Sequence, residues 1–222
     1  MKKIKVLPNG PFEVIGFKSL LEETIKPQRN GVLTSFKTAE FEQDETFHLC
    51  RCGKSHKKPF CDGTHIKIDF DGTETASMKS YQERANLQEG PKLDLLDDNR
   101  CAFARFCHRQ KGSVWELVDD SANEESKKEA IEGASACPTG RLTAVLNDEL
   151  LENEYESEIS IVQDPIKNVS AGIFVRGDFV LESATGKFYE KRNRMALCRC
   201  GESRKKPFCD ASHVSIEFND KR

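Results

Sequence analysis

The chain has 222 residues, a formal net charge of −3, and 32% charged against 37% hydrophobic residues. That balance suits small modules stabilised by bound metal better than one large apolar core, and it lacks the basic excess and basic–aromatic interleaving of a nucleic-acid binder. Nothing approaches the roughly 18–20 apolar residues of a membrane span, and nine cysteines, an odd number, fit a disulfide scaffold poorly.

Read from the N-terminus, Met1-Lys2-Lys3 and Ile4 to Val6 are cut short at Leu7-Pro8-Asn9-Gly10, which is not the pattern of a secretory leader. The expectation is a soluble, reduced, cytoplasmic protein in which clustered thiols bind metal. Residues 4–6, the Asn9-Gly10 turn and residues 12–14 read as a hairpin. Cys50-Arg51-Cys52 then leads, after eight residues, to Cys61-Asp62-Gly63-Thr64-His65. Beyond it Ile66, Ile68 and Phe70 alternate with Lys67 and Asp69, the period of a half-buried strand. Residues 76–158 carry 10 basic and 18 acidic side chains, whereas the segments before and after are net +1 and +4, so three segments are expected.

Within the acidic middle, Cys101 and Cys107 bracket Ala102-Phe103-Ala104-Arg105-Phe106. Residues 113–118, with Val114, Trp115, Leu117 and Val118, read as a strand. Residues 124–136 read as a helix ending at Cys137-Pro138-Thr139-Gly140, residues 141–146 as another strand, and residues 148–158 as an acidic surface linker. Further on, residues 173–175, a turn at Arg176-Gly177-Asp178 and residues 179–181 repeat the opening hairpin. Cys198-Arg199-Cys200, eight residues, and Cys209-Asp210-Ala211-Ser212-His213 then repeat the cysteine loop, and Val214, Ile216 and Phe218 repeat the alternation. Residues 47–70 and 195–218 share 15 identities in 24 positions, the mark of an internal duplication.

Three thiols and an imidazole in a sixteen-residue window, found twice, have few uses besides holding metal. Cys61 and His65, like Cys209 and His213, stand one helical turn apart and so share a face. Asp62 and Asp210 are placed to accept from free amides at a helix start. Ala211 at the position of Gly63 suggests that this position needs no positive φ. His48, His56 and His108 lie outside any ligand pattern and read as surface or packing residues.

Both loops match, position by position, the pattern C-x-C-x2-S-x3-P-x-C-D-G-x-H, with Ser55 and Pro59 in the first and Ser203 and Pro207 in the second; Ala211 is the one departure. They resemble the CDGSH iron–sulfur (mitoNEET-like) family. The resemblance implies a 2Fe-2S cluster held by Cys50, Cys52, Cys61 and His65, and a second held by Cys198, Cys200, Cys209 and His213. It also implies two modules paired as an intramolecular pseudo-dimer in a monomer. A closed Cys3His zinc site is the alternative that spacing leaves open.

The middle segment resembles divergent single-cluster ferredoxin-like domains, on Cys101, Cys107 and the Cys137-Pro138-Thr139-Gly140 turn. The middle cysteine of the usual ferredoxin run is Ala104 here. Three thiolates suit a 3Fe-4S cluster, or a 4Fe-4S cluster with one iron held otherwise; the alternative is a set of buried, empty cysteines. The expected fold is α+β: β-rich modules over 1–75 and 160–222 with a ferredoxin-like domain inserted over 78–147.

No P-loop, dinucleotide fingerprint or nucleophile elbow is present, so an enzyme is not expected. One-electron transfer to a redox partner protein is the leading expectation, because a neutral imidazole in place of a thiolate raises a cluster's potential. Cluster storage, sensing or donation to an apo-protein is the second, because a single histidine is the ligand a falling pH would remove. Lys187, Lys191, Arg192, Arg194, Arg199, Arg204, Lys205 and Lys206 read as a basic docking surface for an acidic partner, or as plain solvating charge. Neither nucleic acid nor membrane is expected as a partner.

Overall fold

The computed structural model describes residues 1–220. The chain is mixed α/β, with three sheets and few helices. The first repeat supplies β1 (Lys3–Val6), β2 (Phe12–Ile15), β3 (Leu20–Pro27), β4 (Leu33–Glu40) and β5 (Thr46–Leu49), followed by the one-turn helix α1 (Thr64–Lys67). The middle holds α2 (Tyr81–Arg84), β6 (Asn86–Gln88), β7 (Asp94–Asp97), α3 (Val114–Asp119), α4 (Glu124–Ala136), β8 (Leu142–Leu146) and β9 (Glu149–Leu151). The second repeat supplies β10 (Glu158–Asp164), β11 (Val169–Arg176), β12 (Val180–Glu182), β13 (Arg194–Leu197) and α5 (Ser212–Ser215).

The two repeats exchange a strand. One sheet runs β12-β1-β2-β5 and the next runs β13-β11-β10-β3, extended by β4. Each is therefore an antiparallel three-stranded unit from one repeat, closed by a parallel strand from the other. The register is the same in both: Ile4 faces Leu181 where Ile159 faces Leu20, and Val14 faces Ile4 where Val175 faces Ile159. Inward side chains alternate along every strand, and Ile4, Val6, Val14, Leu20, Ile159, Ile161, Ile173, Val175 and Leu181 form a shared, fully buried core. Full burial of such side chains stabilises by about 1.5–3 kcal/mol each, so neither repeat retains its core alone.

The outer faces differ. On the first sheet Lys5, Glu13, Glu182 and His48 stand side by side in register, a ladder of opposite charges, with His48 Nε2 3.6 Å from Glu13. The matching positions of the second sheet are Ser160, Phe174, Leu21 and Ala196, and the central segment covers Phe174 and Ala196 with Ala102, Ala104 and Phe106. That segment has its own sheet, β6-β7-β8-β9, and its own core from Leu93, Leu95, Val114, Leu117, Ala130, Ala134 and Leu142. No helix of the described residues is long and apolar enough to cross a membrane.

Several sequence expectations need correction. Residues 113–118 are a helix, not a strand: the Ser113 hydroxyl accepts from the Glu116 amide, and the Glu116 carboxylate accepts from the Ser113 amide, a capping box that outweighs the β-branched composition. The alternation at 66–70 and 214–218 forms no strand. Each histidine sits in a one-turn helix, and Ile66, Ile68 and Ile216 stay exposed. The opening hairpin corresponds to β10–β11 rather than to residues 173–181, since β12 is the exchanged strand. Residues 20–40, unassigned from sequence, form two long strands. The acidic stretch after 148 is only partly linker: it contains β9, and Glu152 pairs with Arg192 and Arg194.

Candidate metal centres

Each cysteine loop is held by the same set of backbone and side-chain bonds. The Cys50 amide donates to Pro59 O at 2.8 Å and the Cys61 amide to His48 O at 2.9 Å; Cys198 and Cys209 repeat both bonds to Pro207 and Ala196. The Ser55 hydroxyl donates to Phe60 O at 2.6 Å and accepts from the Lys57 amide, and Ser203 does the same with Phe208 and Lys205. Asp62 accepts from the Thr64 and His56 amides, and Asp210 from those of Ser212 and Arg204. These bonds fix the serine and aspartate of the motif as loop-shaping residues. Ala211 adopts φ 71° and Gly63 φ 84°, so the position is left-handed in both copies, contrary to the expectation drawn from the alanine.

The loop-anchoring role of the arginine between each cysteine pair is not among the sequence expectations, which place Arg199 only on a basic surface. Arg51 is buried, and its guanidinium donates to Gly10, Gly72 and Leu7 carbonyls at 2.7–2.9 Å. Arg199 donates to Ala171 at 2.7 Å and to Val162 at 2.9 Å, and pairs with Asp220. Each ties its cysteine pair to the β-hairpin of its own repeat. Its appearance at one place in both copies, between two candidate ligands, was the available signal.

Within the loops the donors fall into two pairs. Cys50 and Cys52 Sγ are 3.8 Å apart, and Cys61 Sγ is 3.4 Å from His65 Nδ1. The second loop gives 3.6 Å for Cys198 and Cys200 and 3.4 Å for Cys209 and His213. Two sulfurs about 2.3 Å from one tetrahedral ion stand about 3.8 Å apart, and a sulfur–nitrogen pair about 3.6 Å. Each pair is thus spaced to share one ion. Among the described residues, no three Cys, His, Asp or Glu side chains converge on a single ion position. The hydrogen bond within each buried thiol pair lowers one partner, Cys50 or Cys198, and raises the other, Cys52 or Cys200.

The two loops meet back to back. A Cβ at Gly53 would lie 2.3 Å from the Cys200 carbonyl oxygen, and one at Gly201 2.5 Å from that of Cys52, so both positions demand glycine. Their environments then diverge: His213 is 2% exposed and burial lowers it to about 4, whereas His65 and Cys61 are only half-buried. An open groove of ≈ 500 Å³, lined by Pro8, Asn9, Ile66 and Phe70 among others, runs beside His65.

In the middle segment Cys101, Cys107 and Cys137 line one small cavity of ≈ 20 Å³ with Ala104, Arg105, Trp115 and Arg141. Left-handed Phe103 and Arg105 curl the loop, and the Phe103 amide donates to Cys101 Sγ at 3.3 Å. Burial, then the neighbouring Cys137 and Cys101 thiols, push Cys107 up to about 11. Three thiols lining one cavity without a carboxylate are a soft donor set suited to iron–sulfur chemistry. All nine cysteines are free.

A family described as iron-binding zinc finger, CDGSH type, matches residues 9–66 and 171–214, and one described as divergent 4Fe-4S mono-cluster matches residues 88–147. The chain carries two CDGSH-type segments flanking a divergent mono-cluster segment. As such, it is built to bind iron–sulfur clusters. Searches of curated proteins and of solved structures gave no significant match. The remaining histidines lie apart from the CDGSH ligand sets: His56 and His108 are exposed, and His48 faces Glu13. The eight basic residues expected as a docking surface around the second CDGSH loop divide: Lys187, Lys191, Arg204 and Lys205 are exposed and Lys206 is half-buried. Arg194 and Arg199 are buried, Arg192 stacks on Tyr81 with its guanidinium carbon 3.8 Å from the ring centroid, and Lys191 pairs with Asp178.

Proposed function

We propose that this chain is a one-electron carrier rather than an enzyme. Each CDGSH loop would hold a 2Fe-2S cluster, with two cysteines on one iron and Cys plus His on the other. The observation that carries this reading is the division of each donor set into two pairs at 3.4–3.8 Å, with no three donors meeting on one ion. A mononuclear zinc site needs four donors around one point, so the same division counts against the zinc alternative. When bound, the clusters supply electrons one at a time with little rearrangement. The protein's own contribution is to anchor the loops through Arg51 and Arg199 and to keep water from the second.

The strand exchange and the back-to-back loops support treating the two CDGSH modules as an intramolecular pseudo-dimer. The central thiols would hold a 3Fe-4S cluster, or a 4Fe-4S cluster with one iron otherwise ligated, since Ala104 offers no fourth thiolate. Analysis of anaerobically purified protein for iron, sulfide and zinc, with EPR of the reduced state, tests the reading; zinc without sulfide would contradict it. Cluster donation to an apo-protein is favoured by one observation, the half-exposed Cys61–His65 edge beside an open groove. Appearance of holo-ferredoxin after incubation with the apo-form would establish that role.

A further inference from the structure

The two CDGSH loops are near-copies, but only one is enclosed. The differences between the repeats lie on the outer faces of their sheets. Where the first sheet presents Glu13 and His48 as a half-buried, charged cross-strand pair, the second presents Phe174 and Ala196, packed against Ala102, Ala104 and Phe106 of the central cysteine loop. Cys209 belongs to that same buried cluster. Arg194, at the head of the strand leading to Cys198, donates to the Cys137 carbonyl at 2.8 Å and to those of Ala134 and Leu142. The position equivalent to Arg194 is Thr46, an exposed residue. Arg105 of the central loop forms a two-pronged ion pair with Asp164, at 2.7 and 3.0 Å, on the second repeat.

The second ligand set is thus enclosed on two sides. The central cysteine loop lies on one, where its Ala102, Ala104 and Phe106 share a buried cluster with Cys209. The first CDGSH loop lies on the other, through Gly53 and Gly201. The half-buried groups are at the ends: Cys101 and Cys107 on the central segment, Cys61 and His65 on the first module.

We propose that the second ligand set, Cys198, Cys200, Cys209 and His213, is an internal relay that links the central thiols to the first ligand set and has no exchange of its own with partners. This rests on the electron-transfer reading given above. With clusters bound, one electron would leave the group held by the central thiols as the group held by the second set gains it, and the same electron would then pass to the first set. No bond breaks, no proton moves, and one-electron carrier proteins meet the chain only at its two exposed ends. The burial of His213, against the half-exposure of His65, follows from this order.

The test uses the full chain, loaded anaerobically. His65→Cys and His213→Cys each shift one cluster's spectrum and so assign the signals. In the reduced protein, the second-module EPR signal should be broadened by its central neighbour. Cys107→Ser should remove that broadening and leave the first-module signal unchanged. Should Cys107→Ser fail to fold, the unmodified chain gives an independent readout. A soluble iron chelator should bleach the first-module cluster several-fold faster than the second. Broadening confined to the first module, a central site without iron, or bleaching that starts at the second module would each overturn the relay. A chain holding zinc and no sulfide would overturn the cluster reading with it, whereas a fully loaded chain with the wrong order overturns the relay alone.

Discussion

Arg194 donates from Nε to the carbonyl oxygen of Cys137 at 2.8 Å, joining the strand that leads to one ligand set to a cysteine of another. The same buried guanidinium pairs with Glu152 and donates to two further carbonyls. Removing it leaves the buried carbonyls of Ala134, Cys137 and Leu142 without this donor, a cost of about 1–3 kcal/mol for each group left unsatisfied. Arg194→Ala should therefore lower the urea midpoint sharply, while Arg194→Lys, which keeps the charge but loses the fork, should recover part of it.

Arg51 and Arg199 perform one task in separate modules, so their variants should separate the clusters. Arg51→Ala leaves the carbonyls of Leu7, Gly10 and Gly72 without their donor, and the loop it anchors should release its metal. The expected outcome is loss of about two irons per chain, with the surviving spectrum that of the second module. Arg199→Ala should leave the spectrum of the first.

Position 63/211 gives a quantitative contrast. A non-glycine residue in the left-handed region costs about 1–2 kcal/mol, while alanine recovers about 0.4–1 kcal/mol through the unfolded chain. A Cβ at Gly63 meets nothing within 4 Å, so strain alone decides the outcome. Gly63→Ala should lower thermal stability by about 0.5–1 kcal/mol, and Ala211→Gly should raise it by a similar amount.

The ligand loops were legible because their chemistry is written in short spacings: Cys61 and His65 must share a helical face wherever they are found. The strand exchange was not, because pairing Leu181 with Ile4 and Leu20 with Ile159 depends on contacts across most of the chain, to which a local pattern is blind. Residues 113–118 misled through Val114 and Trp115, although Ser113 and Glu116 carried the helix signal. Arg194 and Arg199 read as surface charge because sequence alone cannot tell a solvated guanidinium from one surrounded by carbonyls. The two outer faces were legible only in hindsight: Glu13 and His48 against Phe174 and Ala196 become a contrast once the register is known.

Ala104 lines the same cavity as the three central cysteines, at the position where a ferredoxin run carries a ligand. Ala104→Cys should add about one iron per chain and replace a three-iron EPR signal with that of a four-iron cluster. An unchanged iron count would argue that the central site already holds four.

Acid should loosen the central domain through Asp97. Burial raises its carboxyl, but hydrogen bonds from Arg141 and the Asn99 amide outweigh this, and the net position is below the usual carboxylate value. A depressed folded value means the stabilisation is complete above the unfolded value of about 4 and is lost as pH falls through the folded one. Asp97→Asn should therefore be less stable at neutral pH, with a flatter acid limb in pH-dependent melting.

The most direct test is the metal and sulfide content of the anaerobically purified chain, read together with its EPR spectrum. The account predicts at least about four irons with matching sulfide and no zinc, rising to about seven when the central site is loaded with a three-iron cluster. A colourless protein with one zinc per cysteine loop and no sulfide would contradict it.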